Sequence, residues 1–100
     1  MELELHYPFT SADGKRIAKL EMRRPKVKDM KAAARFGDKP EDQEIGLFGI
    51  LCGLTAEDIQ DMDLADYGRL QDSFRAMLDK SKKLMADDGA TGEVVPVPGQ

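Results

Sequence analysis

Five basic side chains crowd the stretch E-M-R-R-P-K-V-K-D-M-K, where Arg23, Arg24, Lys26, Lys28 and Lys31 surround Pro25. Side chains of that type at that density neutralise phosphate. Between Lys15 and Arg35 nine Lys or Arg residues stand against only Glu21 and Asp29. The chain as a whole carries the opposite sign, with a net charge of −4, and from Thr55 to Asp72 six acidic residues accompany one arginine. Binding to a phosphate backbone needs accessible positive charge that nothing nearby opposes. The basic segment is therefore expected to face acidic groups of its own fold, such as the helix starts at Asp58, Asp63 and Asp66, or the acidic face of a partner. Nucleic acid ranks below both.

Other chemistries have weaker support. G-L-T-A-E-D-I-Q followed by a turn and a longer helix has the rhythm of a helix-turn-helix, but the second helix would offer Asp63, Leu64, Ala65 and Asp66 to the phosphates. Residues 57, 58, 61, 63 and 66 are all acidic, yet they lack the order of a calcium loop and suit helix caps and helix amino termini instead. His6 is the only histidine, lies on a strand and has no nucleophile nearby in sequence, so it reads as a hairpin-edge residue. Cys52 is the only cysteine, which excludes an internal disulfide, and I-L-C-G-L marks it as a buried small hydrophobe. No phosphate-cradling glycine loop or metal-ligand spacing is present, so no catalytic residue, cofactor or metal is expected.

The elements that must position these residues begin with a strand. Leu3, Leu5, Tyr7 and Phe9 alternate with polar residues and fall on one face. Asp13-Gly14 supplies a tight turn, and a second strand from Arg16 to Arg24 places Ala18, Leu20 and Met22 together. A lone hairpin is marginal in water, so its apolar face must lie on a helix or on another chain. Pro25 ends the second strand. A helix of about three turns follows from Lys26 to Phe36, anchored by Val27, Met30, Ala33 and Ala34 and closed at Gly37, with the basic charges on its outer surface. Pro40 opens a strongly apolar helix with Ile45, Leu47, Phe48, Leu51 and Cys52 that ends at Gly53. Thr55 with Asp58, and Asp63 with Asp66, repeat a capping signature. The longest helix then shows Tyr67, Leu70, Phe74, Met77, Leu78, Leu84 and Met85 at spacings of three and four.

These elements predict an α+β fold, an N-terminal β-hairpin packed on a small bundle of about three to four helices. They predict one domain over residues 1–86, with the hairpin at 2–24 and the helical part at 26–86. Residues 87–100 lose periodicity, gain glycine and proline, and read as a disordered, flexible tail. One hundred residues, 41% hydrophobic and 34% charged, are those of a soluble globular protein, and no apolar run reaches the length of a membrane span. The acidic start M-E-L-E-L-H-Y lacks the pattern of a secretory signal, which places the expected location in the cytoplasm.

Four ordered pieces carry a resemblance: S-A-D-G-K in the turn, L-E-M-R-R-P-K-V-K-D-M, L-C-G-L-T-A-E-D-I, and D-M-D-L-A-D-Y-G-R-L-Q-D-S-F. In order and spacing the chain resembles the tail assembly chaperones of contractile-tailed, Mu-like and P2-like phages and prophages, over residues 3–78 and most specifically at 23–30 and 64–71. The resemblance implies a non-catalytic protein of the bacterial host cytoplasm, made during virion morphogenesis. Such a protein binds the tape measure protein, keeps it soluble and promotes tail tube assembly. The implied partners are the tape measure protein, a frameshifted longer form of the same chain and the tail tube protein, with homo-oligomers expected and no membrane.

Partner-binding residues are expected in two places. Arg23, Arg24, Lys26 and Lys28 stand at the proline joint. Tyr67, Leu70, Phe74, Met77, Leu78, Leu84 and Met85 form the long apolar stripe, and six methionines in the chain suit adaptable contacts. Two competing functions are a small DNA-binding regulatory protein using residues 15–35, and a minor structural component of the tail.

Overall fold

Alternating apolar residues at the amino terminus produce β1 (Glu2–Thr10), which pairs antiparallel with β2 (Arg16–Glu21). The structure, a computed structural model, describes the backbone of residues 1–88 and the side chains of residues 1–79. After the hairpin come α1 (Val27–Ala33), a 3-10 turn (Ala34–Phe36), α2 (Pro40–Cys52), α3 (Ala56–Gln60) and α4 (Leu64–Asp88). The expected α+β class, a hairpin followed by helices, is what the chain forms. By contacts the chain divides into two compact units, Met1–Tyr67 and Gly68–Gln100.

In the first unit the hairpin loses its simple alternation halfway. Leu3 faces Leu20 and Glu4 faces Lys19, but the next pair is Phe9 with Ile17, so β1 carries three extra residues at this break. Leu3 and Leu5 are buried as expected, whereas Tyr7 is 57% exposed and Phe9 half-buried. The bulge turns Tyr7 away from the face that Leu3 and Leu5 share. β2 stops at Glu21, short of the expected Arg24, although Leu20 and Met22 both reach the core. Ala18 is exposed. The turn closes through the Ser11 N–H on the Lys15 carbonyl at 2.8 Å, with Gly14 at φ 90°, a conformation that costs glycine nothing.

α2 sits against both neighbouring helices and against β2. Pro40 takes its first position, and Gly53 ends it in the left-handed region at φ 71°. Phe48 and Leu51 are buried, and Ile45, Leu47 and Ile50 are half-buried, so the helix is apolar around most of its circumference. Two glycines let neighbours approach it. The ring of Phe36 occupies the space a Cβ on Gly46 would need, at 2.2 Å, and the Leu54 carbonyl oxygen lies 2.8 Å from where a Cβ on Gly49 would sit. The hairpin is tied to the end of α2 by the Arg23 N–H on the Leu51 carbonyl at 3.2 Å.

The expected three-turn first helix is shorter: α1 has seven residues and tightens into the 3-10 turn before Gly37. In the second unit Leu70 is buried, Phe74 and Met77 are half-buried, and Leu78 is 40% exposed. Arg75 and Asp72 form an exposed ion pair at 3.0 Å one turn apart. α4 runs through Asp88. Residues 89–100, most of the expected tail, lie outside the described residues, as do the side chains of Leu84 and Met85.

Candidate functional site

Within the first unit three helix starts carry an aspartate at the third residue, and all three carboxylates are buried: Asp29 in α1, Asp58 in α3 and Asp66 in α4. A carboxylate there can take backbone N–H groups at the helix start and complement the helix dipole. Each of these also reaches outside its helix. Asp29 accepts the Lys26 N–H at 2.7 Å and both guanidinium nitrogens of Arg23, at 2.8 and 2.9 Å. Asp58 accepts the Ala12 N–H from the hairpin turn at 2.9 Å and the Thr55 N–H at 3.4 Å, while the Thr55 hydroxyl accepts the Asp58 N–H at 3.0 Å. Asp66 accepts the N–H groups of His6 and Tyr7 at 3.1 and 2.9 Å, in the bulge of β1. The cap of α4 is the expected one: Asp63 accepts the Ala65 N–H at 2.9 Å.

These bonds set the ionisation. The Arg23 fork, then the Lys26 N–H, hold Asp29 well below the usual carboxylate range despite its burial. The Ala12 N–H, with Thr55, lowers Asp58 against the desolvation that opposes it. Burial, then the bond to Glu44, push the Tyr67 phenol up out of the physiological range. Burial likewise raises the Cys52 thiol to about 11, so it stays protonated; the side chain is half-buried rather than fully buried as expected.

The basic joint therefore differs from its sequence expectation in two ways. Hydrogen bonds from the hairpin backbone reach Asp58 and Asp66, while from the joint Arg23 finds a buried acid, Asp29, six positions on. Val27 and Met30 are not anchors. They are 79% and 67% exposed, because α1 turns Asp29 and Ala33, four residues apart, toward the interior. With Arg23 satisfying the carboxylate, burying that face leaves no unpaired charge inside. Arg24, Lys26, Lys28, Lys31 and Arg35 are exposed.

Of the long apolar stripe, Tyr67 packs edge-on to Phe48, with ring centroids 5.6 Å apart, and its hydroxyl donates to Glu44 at 2.6 Å. Beside it a groove of about 300 Å³ is lined by Ile45, Ile59, Gln60, Met62, Leu64 and Tyr67. Leu64 is 81% exposed at its rim, one of the apolar side chains of the long helix that a small core leaves uncovered. Among the described residues no three His, Cys, Asp or Glu side chains are grouped to hold a metal ion, and no helix is long and apolar enough to cross a membrane.

Comparison with known families adds what the geometry alone does not give. The family model described as phage tail assembly chaperone proteins, E, or 41 or 14, matches residues 2–79. The chain belongs to the phage tail assembly chaperone family. The match takes in the hairpin, the three buried aspartates and α4 as far as Asp79. The tail assembly chaperone family is a non-catalytic family of assembly factors. No curated protein and no solved structure matches the chain.

Proposed function

We propose that this tail assembly chaperone binds the tape measure protein in the cytoplasm of the bacterial host, keeps it soluble, and hands it to the tail tube protein as the tube assembles around it. The observation that carries this is the family match over residues 2–79, which ends where the apolar stripe of α4 still shows Phe74 and Met77 half-buried and Leu78 exposed. A long helical client presents apolar stripes of its own, and half-exposed Met and Leu side chains on a helix can cover them while charged neighbours keep the complex in solution. Binding to the client alone also withdraws it from aggregation by mass action. Several copies per client, and a frameshifted longer form of the chain acting beside the short one, belong to the same proposal.

The test is substitution at the accessible positions. Met77→Asp and Leu78→Asp leave the buried Leu70 untouched, and the solubility of the co-expressed tape measure protein falls if this face holds it. Folded double variants that solubilise the client as well as the parent would place the contact elsewhere.

A further inference from the structure

Most of α4 and the chain that follows it belong to one unit, Gly68–Gln100. On the apolar stripe of this helix Met77 is half-buried and Leu78 is 40% exposed, and in sequence Leu84 and Met85 repeat that pair seven positions on, two helical turns. Apolar side chains left open on a helix attract any apolar surface that meets them. Residues 89–100 carry what could cover them. α4 runs to Asp88, and the next residue, Gly89, is of the type that turns a chain off the end of a helix. Beyond it E-V-V-P-V-P holds three valines, two prolines and one acid, Glu93. A segment that served solubility alone would have no use for the valines.

We propose that Val94, Val95 and Val97 fold back on α4 of the same chain and cover Met77 and Leu78 when no client is bound. The reach suffices. Leu78 lies ten residues before Asp88, about 15 Å along a helix, and Val97 nine residues after it, up to about 30 Å of extended chain. On that path Glu93 meets Lys80, Lys82 and Lys83, the basic run that stands between Leu78 and Leu84 in sequence. Pro96 and Pro98 have no N–H for a ladder and restrict the free segment, so the contact is made by side chains and loses less entropy on docking. Tethering supplies the strength. A short link holds the valines near the stripe at an effective concentration on the order of millimolar, so a contact with a Kd of that order covers the face about half of the time. The segment of a second copy, present at about micromolar concentration, competes poorly with the tethered one. Every partner's apparent affinity falls by the covered fraction, and weak chance partners drop out first. The inference rests on the reading of Met77 and Leu78 as client surface and deepens it by naming what occupies that surface beforehand.

The experiment is methyl NMR of the 100-residue chain, labelled at its methionines and valines, beside a variant carrying Val94→Asp, Val95→Asp and Val97→Asp. The Met77 methyl signal moves between parent and variant by the same amount at every dilution. Met22 and Met62, buried in the first unit, keep their positions and report that the fold is retained. In the parent alone, nuclear Overhauser contacts join the Met77 methyl to valine methyls of residues 94–97. A Met77 signal identical in both chains, or a parent without those contacts, overturns the proposal. A difference that vanishes on dilution gives the face to a second copy and overturns it as well. Affinity for the tape measure protein rises about two- to tenfold in the variant, the factor by which the covered fraction had reduced it. If Met77 responds while that affinity does not change, the docked segment stands and it is the reading of α4 as client surface that fails.

Discussion

One oxygen of the Asp66 carboxylate accepts the Tyr7 N–H at 2.9 Å, across 59 positions of sequence. The other accepts the His6 N–H at 3.1 Å. Both donors lie where β1 loses register with β2, so the carboxylate takes N–H groups at the point where the ladder is interrupted. A helix start thus completes a strand, and the hairpin is fixed to the first turn of α4.

Replacing Asp66 by Ala removes that acceptor and lowers stability by about 2 kcal/mol. Asp66→Asn, which keeps one oxygen, costs less. Thermal unfolding measures the loss, and amide exchange at His6 and Tyr7 must quicken more than exchange in α2. Equal protection at those two amides in parent and variant contradicts the bond.

Asp29 and Asp58 predict the acid limb. Folding lowers both from an ordinary value of 3.8, so each contributes stability that is complete above that value and is lost as pH falls through the folded value. Urea midpoints are therefore flat from neutrality down to about pH 5 and fall steeply below about pH 4. Asp29→Asn lowers the neutral plateau and shallows the fall, since it removes one of the titrating groups.

Two glycines of α2 separate by what stands against them. At Gly49 the obstacle to a Cβ is the Leu54 carbonyl oxygen, which is backbone and cannot swing aside; at Gly46 it is the Phe36 ring, itself 45% exposed. Gly49→Ala consequently destabilises more than Gly46→Ala, although the closer approach is at Gly46. Paired thermal melts decide the order, and the reverse order contradicts this packing.

Phe48 and Leu64 mark the extremes of burial. Phe48→Ala empties a site with 0% exposure and costs about 3–5 kcal/mol. Leu64→Ala, at 81% exposure, changes monomer stability by no more than about 0.5 kcal/mol. Chemical denaturation of both variants tests the contrast.

Local signals made most of the fold legible. Asp13-Gly14, Pro25, Pro40, Gly53 and the Thr55–Asp58 box each act through their own backbone, so neighbouring residues suffice to read them. What stayed hidden depends on partners far away in sequence. The bulge that turns Tyr7 outward is tied to Asp66, and between Glu2 and Thr10 only Pro8, which has no N–H for the ladder, hints at it. In α1 two faces compete, Val27 with Met30 against Asp29 with Ala33, and apolar periodicity favours the first. Arg23 decides for the second by neutralising Asp29, a pairing that follows from the turn at Pro25 rather than from helical spacing. For the same reason the sequence points the basic joint at the helix starts of Asp58, Asp63 and Asp66, whereas the acid that Arg23 meets is Asp29.

The most direct measurement is co-expression of this chain with the tape measure protein of the same genome, followed by size-exclusion chromatography with light scattering. A soluble complex holding several copies of the chain per client is the predicted result. A client that remains insoluble while the folded chain elutes without it, even with the longer frameshifted form present, contradicts the proposed function.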